Sequence, residues 1–200
     1  MSTTPGPTPK PAADYVRVPI SRWQGRSTTM TTGGIVASEH PLASQAGAMV
    51  LAAGGHAVDA AIAANAVMGV VAPMMDGVGG DLFAIVHEPS TGAITGINAS
   101  GWASEQASIA GLRALGFETM PQSGVHSVTV PGAVAGWSAL HGRFGRSPWT
   151  TLFDAAIHCA EDGFPVAELT AREWASMAPI LQRDAQAAST FLPGGAPPPC

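Results

Sequence analysis

Two aspartates that bracket a glycine-rich loop are the first residues in this chain whose types and spacing could do chemistry. Asp76 and Asp81 flank the sequence Gly-Val-Gly-Gly. Paired carboxylates can act as general acid and base, although capping and turn roles are more common for aspartate beside glycine. A phosphate-binding loop needs a strand before it and a helix after it, whereas here a helical pattern comes first and a strand follows. We therefore expect a packing turn, in which glycine allows positive φ and close backbone contact, with the lining of a pocket as the alternative.

The histidines and cysteines do not form a recognisable reactive site. Six histidines are scattered without metal-ligand spacing, so we predict no metal and no cofactor, and surface or helix-end roles for them. Cys159 follows His158, but adjacent helical residues point about 100° apart, so the two are no nucleophile–base pair. We expect Cys159 to pack in the core. No Gly-x-Ser-x-Gly nucleophile elbow occurs, and the residues alone show no complete active site.

Composition restricts the partners and the compartment. Hydrophobic residues make up 46% of the chain and charged residues only 12%, so some apolar faces are expected to meet another polypeptide segment. The net charge of −5 argues against nucleic acid and anionic membranes as partners. The N-terminal segment lacks the apolar core of a signal peptide, and the apolar run 60–75 is too short to span a membrane. These features predict a cytoplasmic protein with no membrane partner.

Apolar periodicity and turn residues predict an α+β fold. Helices are predicted over residues 40–55, 56–73, 103–116, 149–164 and 167–185, and a β-hairpin over 81–88 and 93–100. A further strand is expected over 33–39, and residues 126–145 are expected to form a strand that turns at Pro131-Gly132 into a helix. Residues 1–30 are expected to form a flexible Pro/Thr-rich tail. Residues 186–200 have a Pro/Gly-rich composition typical of a truncation point.

Four segments, read together, resemble the N-terminal part of the large subunit of the gamma-glutamyltranspeptidase family, in its acylase-like bacterial branch. They span residues 34–73, 76–86, 130–145 and 152–166. The most specific signature is the run Gly-Gly-x-Ala-Val-Asp-Ala-Ala from Gly54 to Ala61, followed by the glycine loop and by Pro-Gly-x-Val-x-Gly-Trp. The resemblance covers roughly residues 31–185. It implies part of an N-terminal-nucleophile hydrolase fold, an αββα sandwich that this chain leaves incomplete.

The resemblance also implies an activity. Members of the family cleave their own precursor, and a threonine at the new N-terminus of the small subunit attacks γ-glutamyl compounds such as glutathione, or other acyl amides. That threonine lies downstream of Cys200, so no catalytic residue is expected in this chain, which alone should be inactive. Its expected partners are the small subunit of the same precursor and a small-molecule amide.

One departure from the family pattern concerns the substrate. In the transpeptidases an arginine just after the second hairpin strand pairs with the α-carboxylate of the glutamyl group, and acylase-like members often carry it two residues later. The corresponding residues here are Ser100 and Trp102, and neither can replace a bidentate arginine. Either another residue binds the carboxylate or the natural substrate lacks one. Ser100 and Trp102 are the candidate substrate-binding residues, with simple packing as the alternative for Trp102.

Two functions are therefore open at the level of sequence. The first is an amidohydrolase or acyltransferase of which this chain is the N-terminal part. The second is a truncated, non-catalytic relative that binds a partner or ligand through an unpaired sheet.

Overall fold

The computed structural model describes residues 28–199. Contacts divide the chain into a short N-terminal unit, 1–32, and a larger unit, 33–200, which contains every element discussed below. The predicted tail lies outside the described residues up to position 27. The helices are α1 (Pro41–Ala52), α2 (Ala57–Val71), α3 (Ile109–Ala114), α4 (Ala133–Phe144), α5 (Asp154–Asp162), α6 (Glu168–Leu181) and α7 (Ala185–Phe191). The strands are β1 (Leu82–Glu88) and β2 (Ala93–Ala99), so the predicted α+β class is confirmed.

Helix α2 forms the centre of the core. It is alanine-rich and apolar almost all round, and nine of its residues are buried, including Val58, Ile62 and Val67. Helix α1 packs closely on α2 at Gly47, where an added Cβ would lie only 2.8 Å from the Ala60 carbonyl oxygen. The apolar run 60–75 is therefore a mostly buried helix as far as Val71, as predicted, and its last residues form a turn in which Met75 is exposed. Among residues 28–199 no helix is both long enough and apolar enough to cross a membrane.

Strands β1 and β2 form the predicted antiparallel hairpin. Leu82 pairs with Ala99 at one end, and Glu88 pairs with Ala93 beside the turn. Gly92 closes the turn with φ +71° and donates its N–H to the Glu88 carbonyl oxygen at 2.8 Å. Helix α4 lies against the hairpin at Gly136, where an added Cβ would lie 2.7 Å from the Ala99 side chain.

The two faces of the hairpin differ in burial. The inner face packs on the helical core through Leu82, Ala84, Val86 and Ile97. The outer sheet face, defined by Phe83, Ile85 and Ile94, is exposed, and Ile85 retains 81% of its accessible surface. Within the described residues this sheet has two strands and helices on its inner face alone.

Two of the strand predictions are wrong. Residues 33–39 form no strand, and Ile35 is largely exposed. Residues 126–130 form a short 3₁₀ turn over Val125–Ser127 and then an extended segment, of which Val130 donates its N–H to the Trp102 carbonyl oxygen at 3.0 Å. The apolar pattern in both segments suits a strand, but a strand also needs a neighbour that accepts its hydrogen bonds. In the described part of the chain no such ladder forms there.

The C-terminal segment contains more helix than its composition indicates. Within the predicted Pro/Gly-rich end, 186–200, most of helix α7 forms before the prolines begin. Asp184 caps this helix by accepting the Ala187 N–H at 2.8 Å, and the Trp174 indole N–H donates to the Phe191 carbonyl oxygen at 2.8 Å. The cap and the contact with α6 stabilise a short helix that proline content alone would not suggest.

Candidate functional site

The glycine loop, residues 77–80, connects the core helix α2 to the hairpin and to the start of α4. The Gly80 carbonyl oxygen accepts the N–H groups of Gly132 and Ala133, both at 3.0 Å. A Cβ at Gly132 would lie 2.0 Å from the Ala99 carbonyl oxygen, so the backbones meet here at a distance that only glycine allows. The expected close backbone contact is confirmed. The expected positive φ is wrong for Gly77, Gly79 and Gly80, because the loop is held by contacts and not by a left-handed turn.

Asp76 anchors the front of the loop. Its carboxylate accepts the side-chain N–H of Asn65 and the backbone N–H of Gly77, the latter at 2.8 Å. The Asn65 side-chain oxygen in turn accepts the Trp137 indole N–H at 2.9 Å, which links α2 to α4. Burial raises the pKa of Asp76, and the hydrogen bond from Gly77 partly opposes that rise.

Asp81 anchors the back of the loop and serves different partners. Its Oδ1 accepts the Gly101 N–H at 3.2 Å and the Thr129 hydroxyl at 3.0 Å. Asp76 and Asp81 both line a cavity of about 290 Å³ together with Phe83. Each carboxylate holds its own backbone segment, which supports the turn and pocket-lining roles over a general acid–base pair.

The segment that contains Ser100 and Trp102 forms what we call the site wall, residues 98–102. The backbone N–H and the hydroxyl of Ser100 both donate to Asn98 Oδ1, at 2.9 and 2.7 Å. A Cβ at Gly101 would lie 1.4 Å from the Val130 carbonyl oxygen, so this position has no room for a side chain. Trp102 is 87% exposed. The structure thus presents the Ser100 and Trp102 side chains on one short segment held by Asp81.

Sequence reasoning missed the role of Asp59, which is fully buried in the first turn of α2. Its Oδ2 accepts backbone N–H groups from His56 at 2.8 Å, Arg146 at 2.9 Å and Ser147 at 3.0 Å, and its Oδ1 lies 3.8 Å from His141 Nε2. Burial alone would raise the pKa of Asp59, but these N–H donors and His141 together hold it below its usual value. The signal was the single charged residue in a mostly apolar, alanine-rich helix.

Two histidines serve as helix caps. His40 Nδ1 accepts the Leu42 N–H at 3.2 Å, and His56 Nδ1 accepts the Val58 N–H at 3.1 Å. These contacts confirm the expected helix-end role for both residues. Within residues 28–199 no group of three His, Cys, Asp or Glu residues is placed to hold a metal ion.

Cys159 is half-buried against the apolar core, as predicted. Burial raises the pKa of its thiol, which disfavours the nucleophilic thiolate. The neighbouring His158 instead pairs with Asp162, with Nδ1 and Oδ2 2.6 Å apart.

Comparison with known proteins identifies the class of protein to which this site belongs. Residues 43–199 match the sequence profile of the family described as Gamma-glutamyltranspeptidase. The chain belongs to the gamma-glutamyltranspeptidase family. The matched region includes the glycine loop, the site wall and the buried Asp59, and the family assignment made from the four sequence segments is confirmed.

Individual family members agree with this assignment. The chain is 34% identical over 168 residues to the glutathione hydrolase-like YwrD proenzyme of Bacillus subtilis, covering 84% of this chain and 32% of that protein. It matches the gamma-glutamyltranspeptidase structure from Helicobacter pylori with a TM-score of 0.79 and 28% identity, covering 86% of this chain and 50% of the other. The cephalosporin acylase structure from Bacillus halodurans gives a TM-score of 0.75 and 33% identity, with 89% and 35% covered.

These matches cover only part of the length of each relative. It spans about a quarter to a third of the length of the first curated relatives it matches. The structural likeness confirms the predicted partial N-terminal-nucleophile hydrolase fold.

Proposed function

We propose that this chain is the N-terminal part of the large subunit of a self-cleaving amidohydrolase or acyltransferase. Its substrates would be γ-glutamyl compounds such as glutathione, or related acyl amides. The observation that carries the proposal is that the family match runs through both the site wall and the glycine loop that holds it. The name of the YwrD relative describes a glutathione hydrolase-like proenzyme, and that of the Bacillus halodurans structure an acylase, which supports amide substrates and a precursor.

The proposed reaction is acyl transfer by an N-terminal threonine that lies beyond this chain. The threonine hydroxyl attacks the amide carbonyl, its proton passes to the threonine α-amine, and that proton then goes to the leaving amine as the C–N bond breaks. Water or an amino acid attacks the resulting ester and releases the acyl group. Backbone N–H donors would stabilise the oxyanion in both steps.

The contribution of this chain is to hold the acyl end of the substrate. In this proposal Ser100 offers a hydroxyl and Trp102 an exposed aromatic surface, both on the site wall. Asp81 holds that segment by accepting the Gly101 N–H, and Val130 holds it by donating its N–H to the Trp102 carbonyl oxygen. A rigid wall fixes the distance between the acyl end and the amide carbon that the nucleophile attacks. The small subunit of the same precursor would supply the nucleophile, so this chain alone would be inactive.

A second function is favoured by one observation. The outer sheet face is exposed and apolar, and such a surface can bind another polypeptide. A shortened relative that acts as a binding module would use this face without performing any chemistry.

The denatured mass of the protein isolated from its natural host distinguishes the two functions. Two unequal chains, the larger beginning with this sequence and the smaller with threonine, are the expected result. Release of p-nitroaniline from γ-glutamyl and other acyl p-nitroanilides then tests the activity. A single species near 20.2 kDa would contradict the enzyme proposal and favour the binding module.

A further inference from the structure

The orientation of the Asn98 side-chain amide is fixed by its neighbour in the site wall. A backbone N–H can only donate, so the Asn98 atom 2.9 Å from the Ser100 nitrogen must be the acceptor Oδ1. The Ser100 hydroxyl donates to the same oxygen at 2.7 Å. Both contacts place Oδ1 toward Ser100, which assigns Nδ2 to the opposite side of the amide.

The Asn98 amide nitrogen is available as a donor. Among residues 28–199 it has no hydrogen-bond partner, and the side chain is exposed on the outer face of β2, where Asn98 pairs with Phe83. Because the Ser100 hydroxyl lies 2.7 Å from Oδ1 of the same amide, this donor lies close to Ser100.

The charge around the wall is unsuitable for a carboxylate. The acidic side chain of Asp81 is bonded to Gly101 within the wall. In the described part of the chain no arginine or lysine makes an ion pair or hydrogen bond with residues 98–102. A substrate carboxylate here would meet a neighbouring carboxylate and only neutral donors, whereas the bidentate cation that carboxylates prefer is missing.

We infer that Asn98 is a specificity-determining residue whose Nδ2 donates to the acyl end of the substrate, and that the wall selects acyl groups ending in an uncharged oxygen acceptor over those ending in a carboxylate. The inference rests on the proposed amidohydrolase function. The acceptor class is an ester, ketone or ether oxygen, which takes a hydrogen bond and carries no charge.

Three p-nitroanilides of matched acyl length test this selection with protein expressed from its full reading frame. They carry a methyl-ester end (monomethyl glutaryl), a carboxylate end (glutaryl) or no acceptor (pentanoyl). We expect kcat/KM for the ester to exceed that for each of the other two by about tenfold. The pentanoyl amide lacks one well-formed hydrogen bond, and the glutaryl amide brings one unpaired charge to the wall. A tenfold preference for glutaryl or for γ-glutamyl p-nitroanilide would overturn the inference.

The variant Asn98→Asp tests the donor, because it keeps an oxygen that accepts from Ser100 and replaces the N–H₂ group with a second oxygen, which also adds a negative charge. We expect the ratio of kcat/KM for the ester to kcat/KM for the pentanoyl amide to fall about tenfold, to about one. Gln182→Glu makes the same chemical change at an exposed C-cap far along the sequence, on α6, and should alter none of the three values.

The outcomes separate this inference from the proposed function. An equal loss on all three amides in Asn98→Asp would show that Asn98 only shapes the wall, which contradicts a role in specificity. Turnover with a carboxylate preference overturns the inference and leaves the amidohydrolase function intact. No turnover of any amide, by protein that remains one uncleaved chain, overturns the proposed function and this inference with it.

Discussion

Asp59 shows how one carboxylate can join parts of the chain that are distant in sequence. Its partners Arg146 and Ser147 lie 87 and 88 residues away, and both donate backbone N–H groups to the same buried oxygen. Replacing Asp59 with asparagine would remove the charge and leave these N–H groups facing an amide, which can accept fewer hydrogen bonds than a carboxylate. Such losses at buried charged groups are among the largest single-residue effects on stability.

We therefore predict that Asp59→Asn lowers the free energy of unfolding by about 3 kcal/mol. Urea denaturation of the chain, followed by circular dichroism, measures this change. Asp154→Asn is the matched control, because Asp154 also lies in the first turn of a helix but is exposed, and it should cost less than about 0.5 kcal/mol. Equal effects of the two substitutions would contradict the assigned role of Asp59.

His40 provides a pH-dependent contribution at the same scale. It is buried against the ring of Phe164, and its Nε2 has no hydrogen-bond partner among the described residues. Burial lowers the pKa of His40 below 6.5. The unfolded chain therefore binds a proton at a higher pH than the folded chain, so stability is complete above pH 6.5 and is lost as the pH falls toward the folded-state pKa.

The variant His40→Asn should remove this dependence while keeping a side-chain acceptor for the Leu42 N–H. We expect the unfolding free energy of the wild-type chain to fall more steeply between pH 7 and 5 than that of the variant, as measured by urea denaturation at several pH values. Parallel curves would mean that His40 titrates in the folded chain as it does in the unfolded one.

At the scale of elements, helices and strands differ in how far the sequence specifies them. Helices α1, α2 and α4 follow from apolar periodicity and from glycine or proline at their ends, which are local signals. The segments 33–39 and 126–130 carry equally apolar patterns but form no strand, because pairing depends on a neighbouring chain segment that local residues do not reveal. The hairpin was predictable because its two strands are neighbours in sequence and the turn carries its own signal.

The candidate site shows the same limit. Ser100 and Trp102 could be singled out from the sequence by resemblance to the family, since the position after a hairpin strand is local. The hydrogen bonds from Gly101 and Thr129 to Asp81 span 20 and 48 positions and required the structure. The amide orientation of Asn98 likewise depends on atomic contacts that no residue pattern states.

At the scale of the whole molecule, the dominant feature is the outer sheet face. The exposed isoleucines and Phe83 of this face agree with the low share of charged residues in the chain. Both features are consistent with a chain that spans about a third of the length of a relative. An exposed apolar sheet favours self-association when no other segment covers it.

We predict that the 200-residue chain expressed alone self-associates and that Ile85→Lys increases its monomeric fraction severalfold, as measured by sedimentation velocity. Ile109→Lys is the control, because Ile109 is 72% exposed but lies on α3, outside the sheet. A rigid monomer at high concentration without any substitution would contradict this reading of the surface.

Gly101 in the site wall and Gly132 at the start of α4 have a consequence for enzyme engineering. Neither glycine has space for a Cβ, so random substitutions at these two positions would yield mostly misassembled protein. Positions 98, 100 and 102 carry no such restriction, since their side chains are all exposed. A combinatorial library that varies these three alternate positions and keeps both glycines would concentrate its diversity on acyl-group preference, with little of it spent on clones that cannot fold.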